Sequence, residues 1–431
     1  MRQSLNLLPF LDLLDDYSDQ VREVSCEEID SKMSKIKTLL QDYGIEIERI
    51  EACPGPRVTL YKLFLAKGIR ISAIKRLEDD MASCLGVGLR MVALDDSLGI
   101  EIKNDEPSIL SLKSVLNDNA FLASEYELPV ALGYSFGRKV KIFDLARAPH
   151  LLVAGATKQG KTVCLNVIIA SLLCSKSPSD LKFVFIDPKM CELTPYAHLP
   201  NHYLAVLPHG DENKEMDSAI VHTPDRADKV LRSLCAEMDQ RCELLSKASA
   251  RNVKTYNEKY RNRKLRPDDG HRFLPYLVTI IDEYADLTMS VGGGRAAKAV
   301  ARSITTSILR LAQKGHAAGL HVIISTRRPS VGVITGLIKA NFPTRIAFRV
   351  ISKTDSSTIL DSCGAEKLTG NGDMLYYTGV EMERVQCAYV SREEITRLIA
   401  AIPGQSGSSE HPDAPYYLPV PEYDGEGQAS V

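Results

Sequence analysis

The apolar run Leu151-Leu152-Val153-Ala154 leads into Gly155-Ala156-Thr157-Lys158-Gln159-Gly160-Lys161-Thr162 and then into a second apolar run, Val163 to Cys174. Two glycines with four residues between them, followed by Lys-Thr and set between a strand and a helix, form a phosphate-binding loop. Its backbone N–H groups and the helix dipole cradle phosphate oxygens, Lys161 reaches the β- and γ-phosphates, and the Thr162 hydroxyl ligates Mg2+. Residues 155–163, Val163 included, are therefore assigned to nucleotide binding. A third run, Tyr276 to Ile281, ends in Asp282-Glu283. In such ATPases the first acid stands near magnesium and the second orients or deprotonates the attacking water. We expect Glu283, Asp282 and Lys161 to be catalytic, Thr162 and Asp282 to face Mg2+, and ATP to be the nucleotide. The other reading of the acid pair is a structural cap at a strand end.

Other chemistry-bearing residues are less specific. Asp187-Pro188-Lys189-Met190 reads either as a strand end facing the nucleotide or as a simple turn with a salt bridge. His150, His198 and His202 have no second ligand pair at metal spacing and read as ordinary histidines. The ten cysteines include no CxxC pair, and several, such as Cys164, Cys174 and Cys235, lie in apolar runs, so they read as reduced core thiols.

Positioning these groups requires a multidomain chain. At roughly 100–200 residues per domain, 431 residues hold two or three. Hydrophobic content of 44% and charged content of 25% exclude a wholly disordered or fibrous chain. No stretch approaches the roughly 18 uncharged apolar residues of a membrane helix, and no secretory signal is legible, so the chain as given is expected in the cytoplasm. Residues 1–26 read as a tether. Residues 27–118 read as a small α+β domain. It opens with a capping box from Ser25 to Glu28 and a helix to about Tyr43, followed by a strand at Arg57–Phe64, a helix at Ile74–Leu85 and short strands at 89–94 and 98–102. From Leu128 onward apolar strands alternate with longer helices: His150–Ala154, Lys182–Ile186, Tyr276–Ile281, His321–Ser325 and Arg345–Val350. That alternation predicts an α/β domain over 119–402 with a doubly wound, mostly parallel sheet. Thr223-Pro224 caps a long helix to about Ala248. Gly292 to Gly294 reads as a flexible spot, and 403–431 as a disordered tail.

Charge is unevenly spread. From Leu287 to Thr354 there is no Asp or Glu but eleven basic residues, which leaves −13 for the rest of a chain whose total is −2. Such a segment is suited to a polyanion or to nucleotide phosphates, unless acids elsewhere in the chain pair with it.

Several segments resemble the motor of the FtsK/SpoIIIE double-stranded DNA translocases: His150 to Gly155, Phe185 to Met190, Asp282 to Leu287, Arg328 to Val331, Val333 to Phe348 and Gly372 to Tyr376. Upstream, Pro54 to Tyr61 and Gly68 to Asp80 resemble that family's small α domain, so the likeness runs over roughly 27–400. The resemblance implies a RecA-like P-loop ATPase domain beside a small α domain, in a hexameric ring that pumps duplex DNA through its pore, in chromosome segregation and cell division. It implies backbone contacts from Arg328, Lys339 and Lys353, or a subunit-interface role for them, and a separate membrane anchor or division protein as a further partner. The chain departs from the family at several points. Lys158 and Gln159 replace small P-loop residues. Arg327 stands where the family has Gln at the γ-phosphate side, and Arg donates only, whereas Gln also accepts. In Gly315-His316-Ala317-Ala318-Gly319, His316 stands where the family places a trans-acting arginine finger, and Ser357 replaces a pore-facing arginine. Counterparts of the family's membrane helices and winged-helix module are not in this sequence, as in an excised motor or a short paralogue. The expected function is an ATP-driven DNA translocase. The alternative is a ring paralogue that binds ATP and DNA, hydrolyses weakly and serves a structural or regulatory role. A superfamily motor for other cargo is the third reading.

Overall fold

The structure, a computed structural model, describes residues 8–199, 203–208, 219–289, 294–402 and 416–420. The small domain is an antiparallel sheet of β1 (Ile47–Cys53), β2 (Val58–Leu65), β3 (Leu89–Ala93) and β4 (Leu98–Lys103), in the order β1-β2-β4-β3. One face is covered by the helix Cys26–Asp42, whose Ile36 and Leu40 meet Tyr61, Leu63 and Ile100 in a separate core. Ser25 caps that helix by accepting the Glu28 N–H, but the reciprocal half of the expected box is not made, because the Glu28 carboxylate bonds Lys32 and the Asp105 N–H instead. The helix expected over 74–85 is two, Ile71–Lys75 and Glu78–Leu85.

The large domain is built on ten strands: β5 (Pro129–Tyr134), β6 (Val140–Asp144), β7 (His150–Ala154), β8 (Leu181–Ile186), β10 (Ile220–Val221), β11 (Tyr276–Ile281), β12 (Leu320–Thr326), β13 (Thr344–Phe348), β14 (Asp373–Tyr377) and β15 (Met382–Cys387). Their order is β10-β8-β11-β12-β7-β13-β14-β15-β5-β6. The first six pair in parallel and the last four are antiparallel. Along β7, Leu151 and Val153 enter one core while Leu152 and Ala154 enter the other. Burial on both faces explains why the parallel strands read as continuous apolar runs. The helix Lys161–Ser175 covers the first face, and Pro224–Lys247 with Arg295–Ala318 cover the second. The sheet is doubly wound as expected, with an antiparallel extension that the sequence reading had not assigned as strands.

Three segment expectations are corrected. Residues 8–17 are not a free tether: Phe10, Leu11 and Leu14 are buried in the large-domain core, and the Tyr17 hydroxyl donates to Glu394 at 2.9 Å. The small domain ends earlier than residue 118, because Leu112, Val115 and Leu116 also belong to the large core. Part of the expected disordered tail is ordered. Strand β16 (Tyr416–Tyr417) pairs in parallel with β9 (Ala205–Val206), and the Tyr416 hydroxyl is bonded by Arg272 and donates to Glu237 at 2.5 Å. Gly292, Gly293 and the remaining tail lie outside the described residues. All ten cysteines are free, but only four, among them Cys164, Cys174 and Cys235, are buried. Among the described residues no helix is long and apolar enough to cross a membrane.

Candidate nucleotide site and basic face

The loop 155–160 leaves the C-terminal end of β7, between the parallel strands β12 and β13, and open α/β sheets place ligands at the C-terminal ends of their strands. Its glycines are required by contact. A Cβ on Gly155 would stand 2.6 Å from the Phe348 Cβ, and Gly160, at φ 122°, lies against the Gly372 backbone. The Gly372 N–H donates to the Gln159 carbonyl at 2.9 Å. Residues 156–158 and 160–163 line a cavity of about 630 Å³, closed on its other side by Ser108–Leu110, Gly372 and Gln386–Tyr389. Arg57 of the small domain reaches the same cavity. Of the expected nucleotide residues, Gly155 packs on Phe348, and the Gln159 amide donates back to the Thr157 carbonyl.

Behind the loop the acids meet the lysine. Lys161 Nζ donates to Asp282 Oδ1 at 2.6 Å and to Ser325 Oγ at 3.0 Å, and Ser325 Oγ donates to the same Oδ1 at 2.8 Å. Lys161 and Asp282 are both buried, so each charge compensates the other where water does not. The buried Asp282 Oδ2 has no hydrogen-bond partner among the described residues, and Thr162, the residue after the lysine that bonds Oδ1, lines the cavity. A carboxylate oxygen and a hydroxyl are hard oxygen donors that fit Mg2+. Glu283, also buried, sits at φ 56°, ψ 65°, a left-handed conformation that a non-glycine residue adopts at a cost of order 1–3 kcal/mol. The Thr326 hydroxyl donates to its Oε1 at 2.9 Å, and the Arg327 N–H lies 3.2 Å from Oε1 and 3.3 Å from Oε2. The acid pair is therefore not a plain strand cap: one acid faces the P-loop lysine, and the other is held by the end of β12.

Sequence reasoning missed Ser325, Thr326 and Glu192 and left Lys189 open between two readings. Ser325 and Thr326 end β12 one strand away from Lys161, and Lys189 and Glu192 reach it from the loop after β8. Asp187 combines its two sequence readings. Its carboxylate organises a turn, accepting the N–H groups of Lys189, Cys191, Glu192 and Leu193, and that turn carries residues to the nucleotide edge. Arg327 also reaches the site, lining the cavity with Nη2 2.5 Å from Glu192.

His316 does not meet the P-loop of its own chain. It is exposed on the last turn of Arg295–Ala318, with its ring 6.3 Å from that of His321, at the opposite end of β12 from Ser325. His150 and His321 are buried structural histidines, both pushed down to about 3, by burial first and then, for His150, by the neighbouring imidazoles. Among the described residues no cluster of His, Cys, Asp and Glu suits a metal ion.

The basic window folds onto several elements. Arg328, Arg349 and Lys353 are exposed. Lys339 donates to Asp361 at 2.5 Å, and the buried Arg345 donates to the other oxygen of that carboxylate at 2.6 Å. Arg310 pairs with Asp239 at 2.6 Å. Acids outside the window thus neutralise part of it, as the competing charge reading required.

Comparison with known proteins agrees with this geometry. The FtsK/SpoIIIE family profile matches residues 111–331, and the FtsK alpha domain profile matches 8–104. A relative named DNA translocase FtsK from Chlorobaculum tepidum is 41% identical over 395 residues, covering 90% of this chain and 46% of that protein. Its namesake from Oceanobacillus iheyensis is 39% identical over 398 residues, 91% and 48% of the two chains. The chain spans about half the length of the curated relatives it matches. Among solved structures, the pCW3 conjugation coupling protein TcpA, as a monomer with ATPgS, aligns at TM-score 0.59 and 21% identity over 87% of this chain and all of that one. The cytoplasmic domain of the Thermomonospora curvata type VII secretion ATPase EccC aligns at 0.55 and 19%, over 72% and 36%. Those structures share the fold. The sequence matches go further: the chain is a member of the FtsK/SpoIIIE family, with the family's alpha domain and P-loop ATPase domain both present.

Proposed function

We propose that this chain is the motor of an ATP-driven double-stranded DNA translocase. The observation that carries the reading is the meeting of two separate chain segments, in which Lys161, lining one nucleotide-sized cavity, bonds Asp282 of the Asp282-Glu283 pair. Residues 155–163 bind the triphosphate, Lys161 bonds the β- and γ-phosphates, and Glu283 takes a proton from the attacking water. Thr162 and Asp282 would hold Mg2+, which supplies charge neutralisation at the transferred phosphate. Arg328 and Lys353, exposed in the basic window, and Lys339 of the same window contact the DNA backbone, which gives sequence-independent, salt-sensitive binding. The names of the relatives support DNA as the track. Family membership supports assembly as a hexameric ring, with a membrane-anchored or division-protein partner in chromosome segregation.

The alternative, a ring that binds ATP and DNA but turns over slowly, is favoured by His316 and Arg327. Histidine is mostly neutral at pH 7, whereas a trans arginine contributes about 10³–10⁵ in rate in related NTPases. Arg327 replaces that charge in the working motor, and Arg327→Gln should then lower turnover. Steady-state ATPase at low salt, with and without long duplex DNA, beside Glu283→Ala, decides between the readings. Stimulation by DNA that is absent in Glu283→Ala supports the motor. Tight binding of both ligands with turnover no higher than the control supports the binding ring and refutes the motor.

A further inference from the structure

The loop after β8 reaches the catalytic edge from the side. Asp187 is fully buried and accepts four backbone N–H bonds, from Lys189 and Leu193 at 3.1 Å, Cys191 at 3.0 Å and Glu192 at 3.1 Å, so residues 188–193 are held in one shape. That shape sets Lys189 Nζ 3.5 Å from Glu283 Oε2 and 3.2 Å from Asp286 Oδ2. It also sets Glu192 Oε1 2.5 Å from Arg327 Nη2. Arg327 Nε in turn stands 3.8 Å from Glu283 Oε2. One guanidinium therefore lies across two carboxylates, one of which is the candidate base.

This arrangement occupies the base. Glu283 Oε1 accepts from the Thr326 hydroxyl and the Arg327 N–H, and Oε2 faces the Arg327 N–H, Lys189 and the Arg327 side chain. A carboxylate that takes a proton from water needs an oxygen turned to that water. Arg327 and Glu192 both line the nucleotide cavity, and each side chain is 24% exposed, so the guanidinium has room to turn. Its planar fork of N–H donors matches phosphate oxygens better than a single carboxylate oxygen.

Resting on the ATP-hydrolysis reading above, we propose that Glu192 is a positioning residue that holds Arg327 back from the γ-phosphate. An incoming γ-phosphate takes Arg327 from Glu192. The same movement supplies a cation to the γ-phosphate from within the chain and removes one of the three groups that face Glu283 Oε2, opening that side of it to the attacking water. Glu192 acts through Arg327: it sets how much γ-phosphate affinity is spent on moving that guanidinium.

The test is equilibrium binding of a non-hydrolysable ATP analogue and of ADP to the whole chain and to Glu192→Gln, Arg327→Gln and the double variant. Glu192→Gln should tighten the ATP analogue about five-fold, the size expected for one partly exposed ion pair, and leave ADP unchanged. Arg327→Gln should weaken the ATP analogue and not ADP. On the Arg327→Gln background, Glu192→Gln should have no further effect, because its influence passes through Arg327. Equal shifts for ADP and the ATP analogue, no shift in Glu192→Gln, or a shift that persists in the double variant would each overturn the proposal. Lys161→Ala separates the two levels. If it binds nucleotide as well as the unaltered chain, the nucleotide-site reading and this proposal fail together. If it does not, and Glu192→Gln has no effect, only the proposal fails.

Discussion

Arg384 ties the small domain to the wall of the nucleotide cavity, and its removal has a calculable cost. Its Nε donates to Asp373 Oδ1 at 2.9 Å, Nη2 to Asp373 Oδ2 at 2.6 Å, and Nη1 to Glu101 Oε2 of the small domain at 2.5 Å. All three side chains are buried. Arg384→Met leaves two carboxylates without their shared cation, and removing one partner of a buried ion pair costs about 3–5 kcal/mol. Glu101 keeps Arg90, 3.0 Å from both of its oxygens, and Asp373 keeps the Thr369 N–H and hydroxyl at 2.6 and 2.8 Å. The loss should therefore fall near the lower end, about 3 kcal/mol, or about 3–5 °C in the unfolding temperature of a unit this size. Adding Asp373→Asn should recover part of it by removing one stranded charge. The pH dependence follows the same logic. Burial alone pushes the Asp373 carboxyl up, but Arg384 and the Thr369 bonds outweigh it and hold the carboxyl below its ordinary value. A lowered native value contributes stability that is fully present above the unfolded value of about 3.9 and is lost as pH falls through the native one. Thermal unfolding of both proteins between neutral pH and about pH 3 should therefore show a steeper acid decline in the unaltered chain than in Arg384→Met. A shift under about 1 kcal/mol, or identical acid limbs, would refute the claim that this cluster holds the two domains together.

Three further outcomes are expected. Glu283→Gln should keep nucleotide binding and lose about 10²–10⁴ in ATPase turnover, the usual contribution of a general base, and retained turnover would move the base elsewhere. Replacing Arg328 and Lys353 together by Ala should reduce the slope of log affinity against log salt for duplex DNA by about 1.8, if each neutralises one phosphate. Lys339→Ala should change that slope less, since Asp361 already pairs with it; an unchanged slope in the double variant would put the DNA path on another surface. Leu14→Ala should cost about 2–5 kcal/mol in chemical denaturation, because Leu14 is 2% exposed within the large-domain core, whereas a free tether would lose nothing.

The parts of the protein legible in the sequence are those whose signal is local. The P-loop announces itself because its phosphate cradle is made of consecutive residues, and the strand and helix around it carry their own apolar pattern. Asp282-Glu283 is readable because it ends such a strand. Both small-domain strands expected over 89–102 form, since each alternates over a few residues. Where the sequence reading failed, the deciding contacts join distant segments. Leu14 enters a core built mostly from residues more than a hundred positions away, and Tyr416 is fixed by Glu237 and Arg272, so composition made both segments look like free chain. The acid-free window read either as a cationic face or as cations paired with acids elsewhere, and only the fold shows that Asp239 and Asp361, outside it, pair with Arg310, Lys339 and Arg345. Arg327 was visible as a departure from the family, yet its hold on both Glu192 and Glu283 exists only because β8, β11 and β12 lie side by side. The sequence by itself determined where the P-loop and the Asp282-Glu283 pair lie, because each is written in consecutive residues. The tertiary structure alone decided which charges meet, because an ion pair depends on separation in space, and the parallel crossovers that create that separation join segments far apart in the chain.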